Sequence, residues 1–144
     1  MTVRTVLSTP VPATVAGNRF LLLVVDDPTS VGELGQALEA RQVDMVVCPD
    51  SAEGLLKVGS LKPNAVLAAA DLQPVDSPTL VRVLRRESDI PIVIGIGNGD
   101  GAAAAGVLAA GATACVARPY RQVEVLPILR SIAPTSLPPD EPTI

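Results

Sequence analysis

The segment FLLLVVDD, residues 20–27, is the clearest indication of how this chain folds. Six apolar residues in a row predict a strand buried on both faces, because a strand with one wet face would alternate apolar with polar side chains. Asp26 and Asp27 follow at once and mark the carboxyl end of that strand. We therefore expect a parallel sheet whose functional side chains gather where its strands end.

Four further apolar runs follow this strand, with segments of helical spacing between them. The predicted strands are residues 43–48, 65–70, 91–96 and 113–117. The predicted helices are 30–42 with Thr29 or Ser30 as its cap, one beginning after Asp50, one opened by Ser77 or Pro78, the Ala-rich 102–110, and one ending near Ile132. This alternation predicts an α/β fold: a five-stranded parallel sheet, doubly wound, with helices on both faces.

The two ends of the chain differ from this regular middle part. Residues 1–18 mix Thr, Pro and Val without a helical period and predict a loose leader. Residues 134–144 are Pro-rich and acidic, a composition typical of linkers. We therefore expect one domain over residues 19–133.

Composition argues against several classes of function. The chain has no His, which removes His-based nucleophile systems and His-ligated metals, and we expect no enzymatic activity. Its net charge of -4 argues against direct nucleic-acid binding. With no apolar window long enough for a membrane span and no secretory signal, we expect a cytoplasmic protein. Cys48 and Cys115 stand singly in apolar runs and are expected to be buried thiols.

Three motifs give residues 20–132 a resemblance to the receiver domain of two-component response regulators. They are LLVVDD at 22–27, KPNAVLAAADLQPVDSPTLVRVLRR at 62–86 and GATACVARPY at 111–120. The resemblance implies the fold of CheY-like receivers and a role in signal transduction and transcription regulation. In that family an aspartate ending the third strand accepts a phosphoryl group. The acidic pair holds Mg²⁺, a Thr or Ser and a Lys bind the phosphoryl oxygens, and an aromatic ring on the fifth strand rotates inward.

Carried over residue by residue, the pattern is incomplete. Asp26 and Asp27 match the acidic pair, but Ala69 stands at the phosphoacceptor position. Ile96 takes the place of the Thr or Ser, Arg118 that of the Lys, and Cys115 that of the rotating ring. The resemblance therefore implies a receiver that signals without the usual aspartyl phosphate.

Asp71 offers an alternative phosphoacceptor, because it precedes Leu-Gln-Pro in an echo of the family's Asp-Leu-x-x-Pro. Its use would move the carboxylate about 6–7 Å along the strand. We expect this displacement to place it outside the pocket formed by Asp26 and Asp27.

The acidic pair itself has two interpretations. Arg118, on a neighbouring strand end, could pair with Asp26 or Asp27 as a structural salt bridge. The pair could instead retain a Mg²⁺ site, although two carboxylates without a phosphoryl ligand should hold the ion weakly. We expect no other cofactor.

Two further features bear on ligands and partners. Gly95, Gly97, Asn98, Gly99 and Asp100 form a Gly-rich turn between a strand and a helix, which is the context of a phosphate-cradling loop but also suits a plain flexible turn. No charged residue occurs from Ala102 to Ala114, so a partner face on helix 102–110 and the neighbouring fifth strand and helix would be apolar.

Pro127 should make the last helix start near Glu124 or kink it.

Three functions follow from these features. The first is a phosphorylation-independent receiver that acts through a homodimer or an output-domain contact, with no membrane partner. The second is a small-molecule or nucleotide sensor that uses the turn at Gly95–Gly101. The third is a receiver phosphorylated on Asp71.

Overall fold

The computed structural model describes residues 5–7, 20–97 and 101–132. Six strands and five α-helices alternate along them, with a short 3-10 turn at Pro28–Ser30. The strands are β1 Thr5–Leu7, β2 Phe20–Val25, β3 Val43–Cys48, β4 Ala65–Ala69, β5 Ile92–Ile96 and β6 Ala114–Ala117. The helices are α1 Leu34–Ala40, α2 Ser51–Leu61, α3 Ser77–Glu87, α4 Gly101–Ala110 and α5 Gln122–Ile132.

All neighbouring strands are parallel, and their spatial order is β1-β3-β2-β4-β5-β6. One face of the sheet packs on α1 and α5, through residues such as Leu38 and Leu129. The other face packs on α3 and α4, through Leu80 and Val107 among others. The predicted doubly wound α/β fold with five parallel strands and helices on both faces is thus confirmed.

A sixth strand adds to the predicted five. Thr5–Leu7 pairs in parallel with Met45–Val47 of β3 at one edge of the sheet, within the segment assigned to a loose leader. The run is only three residues long and lies among Pro and Thr, so its apolar pattern is too short to separate from a loop. The domain boundaries at 19–133 stay a prediction, because the remaining leader and the tail at 134–144 lie outside the described residues.

The first helix is shorter than predicted. The Asp27 carboxylate accepts a hydrogen bond from the Thr29 N–H and begins the 3-10 turn, so neither Thr29 nor Ser30 caps the helix. Gly32 then takes a φ of +51°, a backbone conformation that interrupts the helical path before Leu34. The predicted helix over 30–42 was therefore wrong in its first turn.

Two other helical predictions have different outcomes. The carboxylate of Asp50 accepts a hydrogen bond from the Glu53 N–H at 2.7 Å, so the predicted start of α2 is confirmed. Helix α5 begins at Gln122, two residues before Glu124, and continues through Pro127. The predicted start near Glu124 is therefore confirmed to within two residues, and the alternative of a kink at Pro127 stays a prediction.

Candidate functional site

A cleft lies where the strand order reverses, between the carboxyl ends of β2 and β4. These strands are adjacent and in register, with Val25 opposite Ala68. In a doubly wound sheet this is where ligands bind. The cleft has a volume of about 340 Å³ and is lined by Asp26, Asp27, Pro49, Ala69, Asp71, Leu72, Gln73 and Arg118.

The Asp26 carboxylate is the most densely bonded group of this cleft. It is 3% exposed and accepts hydrogen bonds from four donors. Oδ1 accepts from Arg118 Nη2 at 2.8 Å and from the Asp27 N–H at 2.6 Å. Oδ2 accepts from Arg118 Nε at 3.0 Å and from the Tyr120 hydroxyl at 2.7 Å. Each oxygen therefore receives two donors, which satisfies the buried charge.

Arg118 connects three segments of the pocket. Its two-point contact with Asp26 has the fork geometry that guanidinium and carboxylate groups favour. It also donates to Ser30 Oγ at 3.1 Å and lies 3.3 Å from the Asp71 carboxylate. Burial alone would lower the pKa of Arg118, but the charges of Asp26, Tyr120 and Asp71 and the hydrogen bond to Asp26 outweigh it and raise the pKa. Of the acidic pair, Asp26 therefore forms the predicted structural salt bridge with Arg118.

Asp27 does not share this arrangement. Its side chain is exposed and accepts from the Thr29 N–H at 3.0 Å, so it serves the 3-10 turn. The oxygens of Asp26 are already occupied, and a hard cation needs such oxygens free. Within residues 20–97 and 101–132, no group of three or more acidic or Cys side chains could hold a metal ion. The residues in this pocket therefore do not fit the Mg²⁺ site that the family implies.

Tyr120 was not among the predicted site residues, yet its hydroxyl donates to Asp26. Its ring is 3% exposed, and a Cβ on Gly95 would lie 2.6 Å from its Cε1 atom. The absent side chain at Gly95 therefore makes room for the ring. Burial and the neighbouring Asp26 charge raise the pKa of the Tyr120 hydroxyl far above its usual value. A single glycine inside an aliphatic strand was the available signal, since glycine there marks a close approach.

Ala69 ends β4 and lies in the cleft, 1% exposed, with no group that could accept a phosphoryl. Asp71 lies in the turn beyond it, and its carboxylate also lines the cleft. The expectation that the displacement would take Asp71 outside the pocket was therefore wrong: the turn after Ala69 brings it back toward Arg118. The side chain remains 70% exposed at the rim.

The loop that carries Asp71 is held by two buried serines. Ser51 Oγ accepts from the Val75 N–H at 2.7 Å, and Ser77 Oγ donates to the Ala70 carbonyl at 2.8 Å. Both side chains are almost fully buried, so these bonds are shielded from water. The loop therefore has a fixed path between β4 and α3.

The remaining candidate residues do not join the cleft lining. Ile96 ends β5 with a half-buried apolar side chain. Cys115 is a free, half-buried thiol on β6, and burial raises its pKa. Cys48 is also free and buried, with its pKa raised to about 11. Of the Gly-rich turn, Gly95 contacts Tyr120 and Gly97 follows β5, while Asn98, Gly99 and Asp100 lie outside the described residues.

Solved structures share this fold. A two-component response regulator from Clostridium difficile superposes with a TM-score of 0.72 at 18% identity, covering 81% of this chain and 97% of that one. The receiver domain of the sensor histidine kinase PA1611 from Pseudomonas aeruginosa, which has magnesium coordinated in its active-site cleft, superposes with a TM-score of 0.68. That match has 21% identity and covers 78% of this chain and 95% of that one.

The fold and the cleft at its switch point define a receiver-type domain, and the sequence comparison agrees. No family model matches the sequence. The DNA-binding response regulator MtrA of Mycolicibacterium smegmatis is 32% identical over 114 residues, which are 78% of this chain and 50% of that protein. The chain thus belongs to the response-regulator receiver domains of two-component signalling, and it spans about half the length of the curated relatives it matches.

No helix within residues 5–7, 20–97 and 101–132 is both long and apolar enough to cross a membrane. A cytoplasmic location and the absence of enzymatic activity stay predictions.

Proposed function

We propose that this domain is an atypical receiver that regulates through protein contacts and without phosphorylation of an aspartate. The observation that carries the proposal is Ala69, which occupies the end of β4 within the cleft. A methyl group has no lone pair with which to attack a phosphoryl donor. The carboxylates that line the cleft either accept hydrogen bonds already, as in Asp26 and Asp27, or lie in the turn beyond β4, as in Asp71.

Asp71 is a poor substitute for the missing phosphoacceptor. It is 70% exposed, so water would reach a phosphoryl group attached there. Phosphoryl transfer also needs groups that stabilise charge on the transferred oxygens. Arg118 already uses Nε and Nη2 on Asp26, and Ile96 has no hydroxyl to donate. Within the described part of the chain, the donor that Asp71 meets in the pocket is Arg118 Nη1 at 3.3 Å.

We further propose that the domain contacts its partner, a second copy or an output domain, through α4 and the adjoining β6 and α5. Residues 101–117 include no charged side chain. Leu108 on α4 is 46% exposed and Val123 on α5 is 67% exposed, so both add apolar area to this uncharged surface. The relative MtrA is described as DNA-binding. A role in transcription regulation would therefore run through an output module linked to this domain, with no nucleic acid bound by the domain itself.

Incubation with acetyl phosphate and Mg²⁺ tests the proposal, with intact mass as the readout. We expect no phosphoryl adduct on the wild-type protein, and no NMR shifts around the cleft when a beryllofluoride mimic is added. Asp71→Ala is the matched variant and should behave as the wild type does. An acid-labile adduct that disappears in Asp71→Ala would overturn the proposal and establish the alternative phosphoacceptor.

A further inference from the structure

Groups of this domain itself occupy the hydrogen-bonding positions of the Asp26 carboxylate. A carboxylate that coordinates a divalent cation must present free lone pairs toward the ion. In Asp26 those positions are taken by a guanidinium, a hydroxyl and a backbone N–H. The guanidinium supplies the positive charge, and the hydroxyl is the second donor to Oδ2.

This arrangement depends on one residue of β5 and on two residues that follow β6. Gly95 on β5 leaves the space that the Tyr120 ring enters, and a Cβ there would also lie 2.8 Å from Arg118 Cγ. Tyr120 follows Arg118 by two residues, so its ring and the guanidinium approach Asp26 from the same segment. Gly95 leaves room for both side chains. The contacts of Arg118 and Tyr120 with Asp26 therefore depend on a glycine at position 95.

The electrostatics favour the guanidinium over an added ion. Asp26 is 3% exposed and its partner Arg118 has a side chain 19% exposed, so little solvent separates the pair. A cation from solution would have to displace a two-point contact and leave the arginine charge without its partner. It would also have to lose part of its own hydration shell.

We propose that the Arg118 guanidinium is the resident cation of this pocket, held with Tyr120 in place of a divalent metal, and that removal of Arg118 would let a divalent metal bind at Asp26. The pocket then keeps one state, in which Arg118 links Asp26, Ser30 and Asp71 across three segments. This inference rests on the proposed function insofar as both require an unphosphorylated pocket. Metal binding is nevertheless measured without a phosphoryl donor, so the two can fail separately.

Mn²⁺ is the probe, because its unpaired electrons broaden the amide resonances of nearby residues. We compare the wild type, Arg118→Met and Arg82→Met, the last removing an exposed arginine from α3 with the same change of net charge. We expect Arg118→Met to bind Mn²⁺ about tenfold or more tightly than the other two, with broadening at Asp26, Asp27 and Asp71. Equal binding by the wild type and Arg118→Met at this pocket, or none by either, would overturn the proposal.

A second measurement applies to the wild-type protein, in case Arg118→Met does not fold. The Nε–H of Arg118 donates to Asp26 within the pocket, so its NMR resonance should be protected from exchange with water. We expect this resonance to keep its position as Mg²⁺ is added to millimolar concentration. Its loss or shift, together with shifts at Asp26, would show that the metal displaces the arginine and would overturn the proposal.

Discussion

The hydroxyl of Tyr120 is buried against a carboxylate, and this contact determines how the residue ionises. Burial and then the charge of Asp26 raise its pKa above the ordinary value of about 10. The folded state therefore favours the neutral phenol. Its contribution to stability is complete below about pH 10 and is lost as the pH rises above that value.

Because Tyr120 is the only tyrosine in the chain, phenolate absorbance in the near ultraviolet reports this one group. We expect the absorbance to rise only in the alkaline range in which the far-ultraviolet circular dichroism is lost. Both signals should follow one transition. A phenolate that forms near pH 10 in a protein with intact secondary structure would contradict the buried contact with Asp26.

Gly95 supplies a second prediction for a single residue. A Cβ at this position would come within 2.6 Å of the Tyr120 ring and 2.8 Å of Arg118 Cγ. We expect Gly95→Ala to lower the free energy of unfolding by about 1–3 kcal/mol, because the added methyl overpacks the pocket. Gly59→Ala on α2 is the control: nothing lies within 4 Å of its Cβ, and it should stabilise the helix by about 0.5–1 kcal/mol. Urea unfolding measures both, and equal effects would argue against the close packing.

The sequence allowed prediction of the charged half of this site but not of Tyr120. Asp26 and Arg118 follow apolar runs, and the rule that parallel strands end at one edge brings them together. The contact of the Tyr120 hydroxyl depends on how far the chain after β6 turns back over Gly95, which spacing along the sequence does not give. The predicted position of Asp71 was wrong for the same reason, because it depends on the path of the turn after β4.

At the scale of elements, Arg85 fastens α3 to the turn between α4 and β6. The helical spacing of Arg82, Arg85 and Arg86 predicts that all three side chains point to solvent, but Arg85 is half-buried. Its Nε donates to the Gly111 carbonyl at 2.9 Å, and its Nη2 donates to Thr113 Oγ1 at 3.1 Å. A helical period tells which way a side chain leaves the helix, but a long arginine can bend back to reach carbonyl groups.

These contacts predict a difference between two neighbouring arginines. We expect Arg85→Ala to lower the free energy of unfolding by about 1–3 kcal/mol, since it leaves the Gly111 carbonyl without its donor. Arg82→Ala removes the same charge from an exposed position and should change stability by about 0.5 kcal/mol or less. Chemical denaturation of both variants provides the comparison. Similar losses of stability in both variants would show that the positive charge, and not the contact with Gly111, stabilises the fold.

The predicted strands lie within one residue of those in the structure, because each is a mostly apolar run that is followed within two residues by Pro, Gly, Asp or Arg. The start of α1 and the strand β1 were not predicted. The first depends on a positive φ at Gly32 and the second on three residues paired at a sheet edge. Local sequence patterns predict structure poorly where the conformation depends on one backbone angle or on pairing with another strand.

At the scale of the whole molecule, the proposed contact face predicts self-association if the partner is a second copy. Leu108→Glu would place a charge on the uncharged surface of α4, and we expect it to weaken the dimer in sedimentation experiments. Leu56→Glu is the matched control, because Leu56 on α2 is 75% exposed but lies outside this face. An equal loss of dimer in both variants, or an unchanged dimer in Leu108→Glu, would argue against α4 as the interface.

Several residues of the family's phosphorylation site are replaced in this pocket. We therefore expect that one substitution cannot restore phosphorylation. Ala69→Asp returns a carboxylate to the end of β4, but Ile96 offers no hydroxyl and Arg118 stays bonded to Asp26. The new charge would enter a cleft that already holds Asp26, Asp27 and Asp71. We expect no stable phosphoryl adduct with acetyl phosphate and Mg²⁺, and lower stability than in Ala69→Asn, which has the same shape without the charge. Intact mass and urea unfolding test this. A lasting adduct in Ala69→Asp, absent from Ala69→Asn and accompanied by NMR shifts on β6 and α5, would mean that the rest of the switch is intact.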